Sequence, residues 1–285
     1  MQNFGQILFV MWRETVEAML VVGILHAWLS HNPLGKRGLA YLWFGVAAGL
    51  AGAFLMGLGI EATNSVLSDE GQEYFQAAML LVAAGLIVQM VFWMRRHGRS
   101  LKKDMEKSLS DSAQQQRWWG VFSLAAIAVA REGSETVVFL SSLAMGGNGF
   151  ASGQFWLALG LGVILAGGTF HLLQLGGKLI SWRAFFGTTE ILLLLLGCAL
   201  LVSGVEKLID VQALPTVVAQ VWDSSAVLDD GTIFGGIVSA FTGYRARPAL
   251  TTLLVFCGYW LAIQWWLRPA KPNFDRRPNV TSRPC

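Results

Sequence analysis

The chain has 285 residues, of which 54% are hydrophobic and only 14% are charged, and its formal net charge is +3. Soluble domains carry roughly a quarter charged residues, so this composition excludes an ordinary soluble domain and is typical of a polytopic membrane protein. Cys198, Cys257 and Cys285 lack metal-ligand spacing, so we expect no disulfide framework and no zinc site. The sequence has no nucleotide-binding motif, and we expect no nucleic-acid partner.

Seven apolar stretches have about the 20 residues that a helix needs to cross a bilayer. They lie at about residues 5–29, 39–60, 74–94, 119–145, 154–176, 186–205 and 249–267. The first stretch has no basic start and is too long for the apolar part of a signal peptide, so we expect it to remain as a membrane span. The predicted fold is an all-α polytopic membrane protein with seven transmembrane helices.

The segments between the spans alternate in charge. The first, third and fifth loops and the tail are rich in Lys and Arg, whereas the second and sixth loops carry acidic residues and the fourth is uncharged. The positive-inside rule places basic segments in the cytoplasm. We therefore predict a protein of the bacterial inner membrane with a periplasmic N-terminus and a cytoplasmic C-terminus, as an odd number of spans requires.

Spans 1–3 and spans 4–6 share one internal order, which predicts an inverted repeat. Each triplet opens with a charged helix, continues with a glycine-rich helix and closes with a helix rich in Leu and Ala. Transporters often have such repeats, with the substrate site near the midplane where the repeats meet. The predicted units are repeat 1–94, basic loop 95–118, repeat 119–205, periplasmic loop 206–248, seventh helix 249–267 and cytoplasmic tail 268–285.

The two charged stretches, "MWRETVEAML" and "AVAREGSETVVFL", lie inside apolar spans. Six unpaired charges there would cost about 15 kcal/mol at the roughly 2.5 kcal/mol that each adds on insertion scales, so they must face partners or water. Glutamates at positions i and i+3 share one helical face. If the two helices pack together, four carboxylates converge and two guanidinium groups flank them: Glu14, Glu17, Glu132 and Glu135, with Arg13 and Arg131.

Such a cluster of carboxylate oxygens suits a hard cation, such as Ca²⁺, Mg²⁺, Mn²⁺ or Fe³⁺. The alternative is a buried Arg–Glu network that only holds helices together. Duplication of the motif in equivalent positions favours a metal passage.

The two motifs resemble the R-E-x-x-E motifs of the oxidase-dependent iron permeases, in particular their bacterial EfeU-type members. The resemblance includes "MVFWMRRHGRSLKKDMEKSL" after span 3 and "VWDSSAVLDDGTIFGGIVSAFTGYRARPAL" before span 7. It implies a permease that takes up Fe³⁺ delivered by a periplasmic iron oxidase or iron-binding protein, with iron as substrate and no permanently bound cofactor. By position, the four motif glutamates match the family's iron-binding glutamates, and Arg13 and Arg131 match its motif arginines.

The chain departs from this family at the start of span 3. Similar proteins often read Phe-Glu-Gly there, whereas this chain reads Phe75-Gln76-Ala77, with Glu73 one turn earlier. Either Glu73 substitutes for the missing acid, or the route or selectivity differs.

Further polar residues are candidates for an entrance or relay role: Glu61, Asp69, Glu70, Glu73, Gln76, His171, Glu190, Asp223, Asp229 and Asp230. The acids of the second and sixth loops either concentrate cations and dock a partner or are simply solvated. His171 either lines a pathway or is a polar residue near a helix end. Glu190 is either a relay at the exit or an interface residue. Methionines such as Met90 are too dispersed for a soft-metal path, so packing explains them.

Three rival functions remain at this stage. One is a permease for another cation such as Mn²⁺ or Pb²⁺, because carboxylates alone select poorly. A membrane-embedded di-metal oxidase is disfavoured because the sequence lacks the Glu-x-x-His pairs of such enzymes. The third is a purely structural membrane subunit. The energy source of transport stays open between a proton or potential gradient, a partner and the ion's own gradient.

Overall fold

The computed structural model describes residues 3–31, 37–97, 118–145, 149–174 and 182–267. Most of the basic loop 95–118 and the tail 268–285 lie outside these residues, and so do parts of the first, fourth and fifth loops. The described chain forms eight α-helices and a short 3₁₀ helix, Gly149–Ala151, without a strand, as the all-α prediction requires. The α-helices are α1 Phe4–His31, α2 Gly38–Val66, α3 Asp69–His97, α4 Trp119–Met145, α5 Gly153–Gln174, α6 Trp182–Asp210, α7 Ile233–Thr242 and α8 Leu250–Leu267.

Four of these helices are long and apolar enough to cross a membrane: α2, α3, α5 and α6. Helices α1 and α4 have the length, at 28 and 27 residues, but their charged motifs lower their hydropathy. Helix α8 is apolar and shorter, at 18 residues. The chain is therefore a multi-pass membrane protein, and the count of seven spans stays a prediction. Large apolar side chains exposed on the four helices, such as Phe44, Phe54, Ile164 and Ile191, form a surface suited to lipid.

Helices α1 and α4, which carry the charged motifs, lie against each other in opposite directions. Asn3 at the start of α1 donates from Nδ2 to the carbonyl oxygen of Leu143 near the end of α4, at 2.8 Å. At the other end of the bundle, Gly38 of α2 lies against Leu29 of α1 and Trp118 just before α4. The end that holds Asn3, Leu143 and the short helix α7 is called the α7 end below.

The two glycine-rich helices approach the two charged helices in matching ways. A β-carbon at Gly49 of α2 would lie 2.9 Å from the carbonyl oxygen of Ala126 on α4. A β-carbon at Gly162 of α5 would lie 3.1 Å from the carbonyl oxygen of Leu8 on α1. Ala126 and Leu8 are each the fifth residue before the arginine of their motif. Both contacts need a residue without a side chain so that the backbones can meet, and their correspondence is what an inverted repeat predicts.

The remaining long helices close the bundle. Helix α3 packs against α6 and α4, and a hydrophobic core unites side chains of α1, α3, α4 and α6, including Val10, Ile87, Phe139 and Leu196. Helix α8 packs against α6, where Tyr259 donates from its hydroxyl to the carbonyl oxygen of Leu194 at 2.8 Å. The charged motifs thus lie between helices that pack on several sides.

The short helix α7 lies over the end of the bundle that holds Asn3 and Leu143, in contact with α6 and α1. It begins where Thr232 accepts at Oγ1 a hydrogen bond from the amide of Gly235, at 3.1 Å, an N-cap that satisfies a free helix donor. It ends at Gly243, whose φ of 73° is in the left-handed region that favours glycine. Gln6 of α1 donates from Nε2 to the carbonyl oxygen of Ala240 and so ties the two helices together.

Candidate metal centre

On α1, the arginine of the motif is buried and binds both acids of its own helix. The Arg13 side chain is 1% exposed, and its Nη1 lies 2.7 Å from Oε1 of Glu14. Its Nη2 lies 2.5 Å from Oε1 of Glu17, one turn along the helix. Charge-assisted hydrogen bonds of this kind offset part of the cost of burying the three charges.

On α4, the equivalent arginine holds one acid and is more accessible. Arg131 donates from Nε to Oε1 of Glu135 at 3.1 Å, and its side chain is 33% exposed. Glu132 and Glu135 are both buried. Within the part of the chain that the structure describes, no ion pair includes Glu132.

Three of the four motif glutamates come together. Glu14, Glu132 and Glu135 each place a carboxylate oxygen so that all three oxygens lie within 4.8 Å of one another. We call these residues the glutamate triad. Glu17 stays outside it, with a side chain that is 17% exposed and bound to Arg13. The sequence thus predicted the convergence of both helices, and the structure leaves the fourth glutamate outside the triad, bound to the same arginine as Glu14.

The triad has oxygens that no group in the described part of the chain satisfies. The Oε2 atoms of Glu14, Glu132 and Glu135 are buried and have no hydrogen-bond partner among the described residues. A buried carboxylate oxygen without a partner is costly, and a bound cation removes that cost. Oxygens on opposite sides of a Ca²⁺-sized ion lie about 5 Å apart, at roughly 2.3–2.6 Å from the metal. The three oxygens of the triad are therefore close enough together to share one metal ion.

The two arginines stand on opposite sides of the acids along the bundle. Because α1 and α4 are antiparallel, Arg13 lies on the side of the α7 end and Arg131 on the other side. The exposed fraction of the arginine side chain rises with distance from the α7 end, from 1% at Arg13 to 33% at Arg131. The acids are thus more deeply enclosed on the Arg13 side than on the Arg131 side in this conformation.

Helix α3 supplies contacts to both arginines that sequence reasoning missed. The sulfur of Met90, a buried residue, lies 2.8 Å from Nη1 of Arg13. The guanidinium carbon of Arg131 lies 4.1 Å from the ring centroid of Trp93, a cation–π contact. The assignment of Met90 to packing alone was therefore incomplete. Met90 and Trp93 are three residues apart and therefore lie on one face of α3. This spacing was the pattern in the sequence that could have indicated a shared role for the two residues.

The acidic residues predicted for the second loop do not join the triad. Glu61, at the end of α2, and Asp69, Glu70 and Glu73, in the first turns of α3, are all exposed. Gln76 is buried in α3. Their roles at an entrance stay predictions.

The other polar residues of the spans lie apart from the triad as well. Glu190 of α6 pairs with Arg95 of α3, so it is an ion-paired residue between two helices. His171 is exposed on α5. A pathway role for either residue stays a prediction.

The three aspartates of the sixth loop have different surroundings. Asp223 accepts hydrogen bonds from the hydroxyl and amide of Ser225 and pairs with Arg247, contacts that lower the pKa of its carboxyl group. Asp229 is exposed and accepts a hydrogen bond from the amide of Gly231 at 2.9 Å. Asp230 alone of the three lines a cavity.

This cavity, of about 370 Å³ at the α7 end, is called the polar cavity below. Its lining includes Asn3, Gln6, Ser203, Asp230, Ser239 and Arg245. Arg245 donates from Nε to Oε1 and from Nη2 to Oε2 of Glu206, at 2.7 and 2.6 Å. Together with a third bond from Nε to Oε2 at 2.8 Å, these contacts fix the loop after α7 to α6.

The fold and the triad define a class of protein: an all-helical membrane protein with a buried carboxylate centre of the kind that binds a metal ion. The family model of the iron permease FTR1 family matches residues 4–268. The chain belongs to this family. It is therefore a permease rather than an enzyme, and iron is its transported substrate.

Curated relatives cover most of the chain. It is 29% identical over 256 residues to a protein of Escherichia coli O6:K15:H31 (strain 536 / UPEC) named ferrous iron permease EfeU, a match that covers 88% of this chain and 90% of that protein. A protein of the same name from Shigella sonnei (strain Ss046) gives the same values. One from Yersinia pestis is 24% identical over 252 residues, with 88% of each chain covered. No solved structure matches the chain significantly.

Proposed function

We propose that the chain takes up iron across the bacterial inner membrane by passing the ion through the glutamate triad, with Glu17 as a fourth acid on the route. One observation carries the proposal: three buried carboxylates from two antiparallel helices meet within 4.8 Å, and each has an oxygen without a hydrogen-bond partner among residues 3–31, 37–97, 118–145, 149–174 and 182–267. A network that only held helices together would leave no such oxygens, because each costs about 1–3 kcal/mol unless it is satisfied.

The proposed topology has seven spans, built as two inverted three-helix repeats and a seventh helix. The matching contacts of Gly49 and Gly162 support the repeat. The antiparallel course of α1 and α4 and the acidic character of the loop around α7 support a periplasmic α7 end, a periplasmic N-terminus and a cytoplasmic C-terminus. In this orientation the triad is more deeply enclosed on the periplasmic side, and alternating access requires a second conformation that opens this side.

The proposed ion at the triad is Fe³⁺, delivered by a periplasmic oxidase or iron-binding partner. A donor set of carboxylate oxygens supports a hard cation. Fe²⁺ is the second candidate, because the relatives are named ferrous iron permeases and because the sulfur of Met90, a softer donor, lies beside Arg13. Mn²⁺ is a further candidate from the same donor chemistry.

Uptake into proteoliposomes tests the passage. The wild-type protein and the Glu132→Gln variant are compared with radiolabelled Fe²⁺ under anaerobic conditions and with chelated Fe³⁺, each with a pH gradient applied or withheld. We expect Glu132→Gln to abolish uptake and the matched variant Glu190→Gln, which removes an ion-paired acid away from the triad, to retain it. Equal uptake by Glu132→Gln and the wild type would reject the triad as the passage. Uptake of Fe²⁺ alone by the wild type would reject the ferric assignment and leave the passage intact.

A further inference from the structure

The two copies of the motif hold their arginines differently. Arg13 binds both acids of its own helix through its terminal nitrogens, with Nη1 on Glu14 and Nη2 on Glu17. Arg131 uses Nε instead, in a single and longer bond of 3.1 Å to Glu135, and it has no second ion pair with a described residue. The duplicated sequence motif is therefore asymmetric in the structure.

The spacing within the motif does not cause this asymmetry. The contacts of Arg13 show that an arginine in this motif reaches both the next residue and the residue four positions further on. Glu132 and Glu135 have these two positions relative to Arg131. An unrestrained Arg131 could therefore bind Glu132 as well, so a group outside the motif must hold its guanidinium elsewhere.

Trp93 of α3 is the group that holds this guanidinium. The guanidinium carbon of Arg131 lies 4.1 Å from the centroid of the Trp93 ring, well within the distance of about 6 Å at which an aromatic face attracts a cation. Tryptophan gives the strongest attraction of this kind among the aromatic side chains. Helix α3 packs against α4, so the ring is a fixed part of the bundle. The guanidinium is thus held between the Trp93 ring and one oxygen of Glu135.

The same helix places a different side chain beside the other arginine. The sulfur of Met90 lies 2.8 Å from Nη1 of Arg13, and the same nitrogen still binds Glu14. A thioether sulfur is a weak acceptor, so it does not draw an arginine away from a carboxylate. An indole face attracts a guanidinium more strongly. The difference between Met90 and Trp93 on α3 therefore accounts for the different positions of the two arginines.

From these observations we propose that Trp93 is a positioning residue, which holds Arg131 away from Glu132 and so keeps the acids of α4 open to the ion. The oxygens at stake are the Oε2 atoms of Glu132 and Glu135, which are buried and have no hydrogen-bond partner in the described part of the chain. An arginine placed on them as Arg13 is placed on its acids would compete with a metal ion for the same oxygens. The proposal rests on the proposed function, because it takes the triad as the ion site. Trp93 acts through Arg131 and does not itself bind the ion.

Manganese binding to the purified full-length protein tests this role through a double-mutant cycle. Mn²⁺ is titrated in detergent micelles, and the free hexaaqua ion is counted by electron paramagnetic resonance. We expect Trp93→Leu to weaken Mn²⁺ binding about tenfold, the factor that a partly buried cation–π contact is worth, because the released Arg131 then occupies the acids. Trp93→Phe keeps a ring and should lose less. In the Arg131→Gln background there is no guanidinium to release, so Trp93→Leu should leave the affinity unchanged.

Two controls separate this role from a loss of packing. Trp265→Leu removes an exposed tryptophan of α8 and should bind Mn²⁺ as the wild type does. Thermal unfolding shows which variants are folded, and Trp93→Phe supplies the same cycle if Trp93→Leu does not fold.

Each possible outcome of the cycle decides the role of Trp93. Equal losses of affinity with and without Arg131 would overturn the proposal, because Trp93 would then act by packing alone. Unchanged or tighter binding by Trp93→Leu in the presence of Arg131 would overturn it as well. In either case, Mn²⁺ that the wild type binds and Glu132→Gln does not would leave the triad intact. No bound Mn²⁺ in the wild type would overturn the proposed function and the role of Trp93 with it.

Discussion

The substitution Glu132→Gln separates a metal centre from a structural ion network, because the two accounts predict opposite changes in the stability of the metal-free protein. Glu132 lies with Glu14 and Glu135 in a group whose oxygens are within 4.8 Å, and it has no ion pair among the described residues. In the metal-free protein its charge is therefore mainly repelled. In the metal-bound protein the cation attracts the same charge.

The magnitude follows from the spacing of the triad. Two unit charges 4.8 Å apart repel by about 3.5 kcal/mol at an effective dielectric constant of 20. Glu132 has two such neighbours, so neutralising it removes repulsion on the order of 7 kcal/mol, less the attraction that Arg13 and Arg131 give to the same charge and whatever a bound proton already relieves. We expect Glu132→Gln to stabilise the metal-free protein by a few kcal/mol and to abolish the stabilisation that a bound metal gives the wild type.

Thermal unfolding in detergent, followed by the fluorescence of the 12 tryptophans, measures both effects, with and without Mn²⁺. The expected result is a higher midpoint for metal-free Glu132→Gln than for the wild type, and no further rise on addition of Mn²⁺. Glu190→Gln is the matched control, because it breaks the pair with Arg95 and should leave the Mn²⁺ effect unchanged. A lower midpoint for metal-free Glu132→Gln, with the Mn²⁺ effect retained, would refute the metal centre and favour the structural network.

Further predictions concern the helices around the triad. Gly49→Ala and Gly162→Ala should each lower the thermal midpoint, because their β-carbons would lie about 3 Å from backbone oxygens. Gly52→Ala, where a β-carbon would meet open space, is the control and should be neutral or stabilising by up to about 1 kcal/mol. Equal midpoints for the three variants would contradict the close helix contact. Trp93→Leu, which removes the ring from Arg131, should lower the maximal rate of iron uptake several-fold, and Trp93→Phe should restore part of it. Met90→Leu should weaken the binding of Fe²⁺ more than that of Mn²⁺ in titrations if the sulfur contacts the ion, and equal losses would contradict that contact.

The sequence predicts the elements of this fold well because a bilayer imposes strong constraints. Each predicted span corresponds to a helix, since an apolar segment of that length has few alternatives in lipid. The boundaries were less certain: α2 runs to Val66 and α3 begins at Asp69, so a polar hairpin assigned to a loop is largely helical.

The centre was predictable in its residues and only partly in its geometry. Charges buried in two helices implied that Glu14 and Glu132 face inward. Periodicity along one helix does not determine the rotation of its neighbour, so it did not reveal that Glu17 is bound to Arg13 and stays outside the triad. For the same reason the contact between Met90 and Arg13 was not predicted, because the spacing of Met90 and Trp93 places both on one face of α3 but does not show which helix that face meets.

The polar cavity depends on contacts between distant segments, and the sequence alone gave no means to find it. Asp229 and Asp230 are neighbours in a loop and looked equivalent. Only the path of the chain after α7, fixed by the pair of Arg245 with Glu206, places Asp230 on the lining and leaves Asp229 exposed.

Anomalous X-ray scattering from crystals soaked with iron tests the central claim most directly, because it locates the ion without any assumption about transport. The account predicts an iron peak bounded by the carboxylates of Glu14, Glu132 and Glu135, which disappears in Glu132→Gln crystals treated in the same way. An empty triad in crystals that bind iron elsewhere, or a peak that persists in the variant, would contradict it.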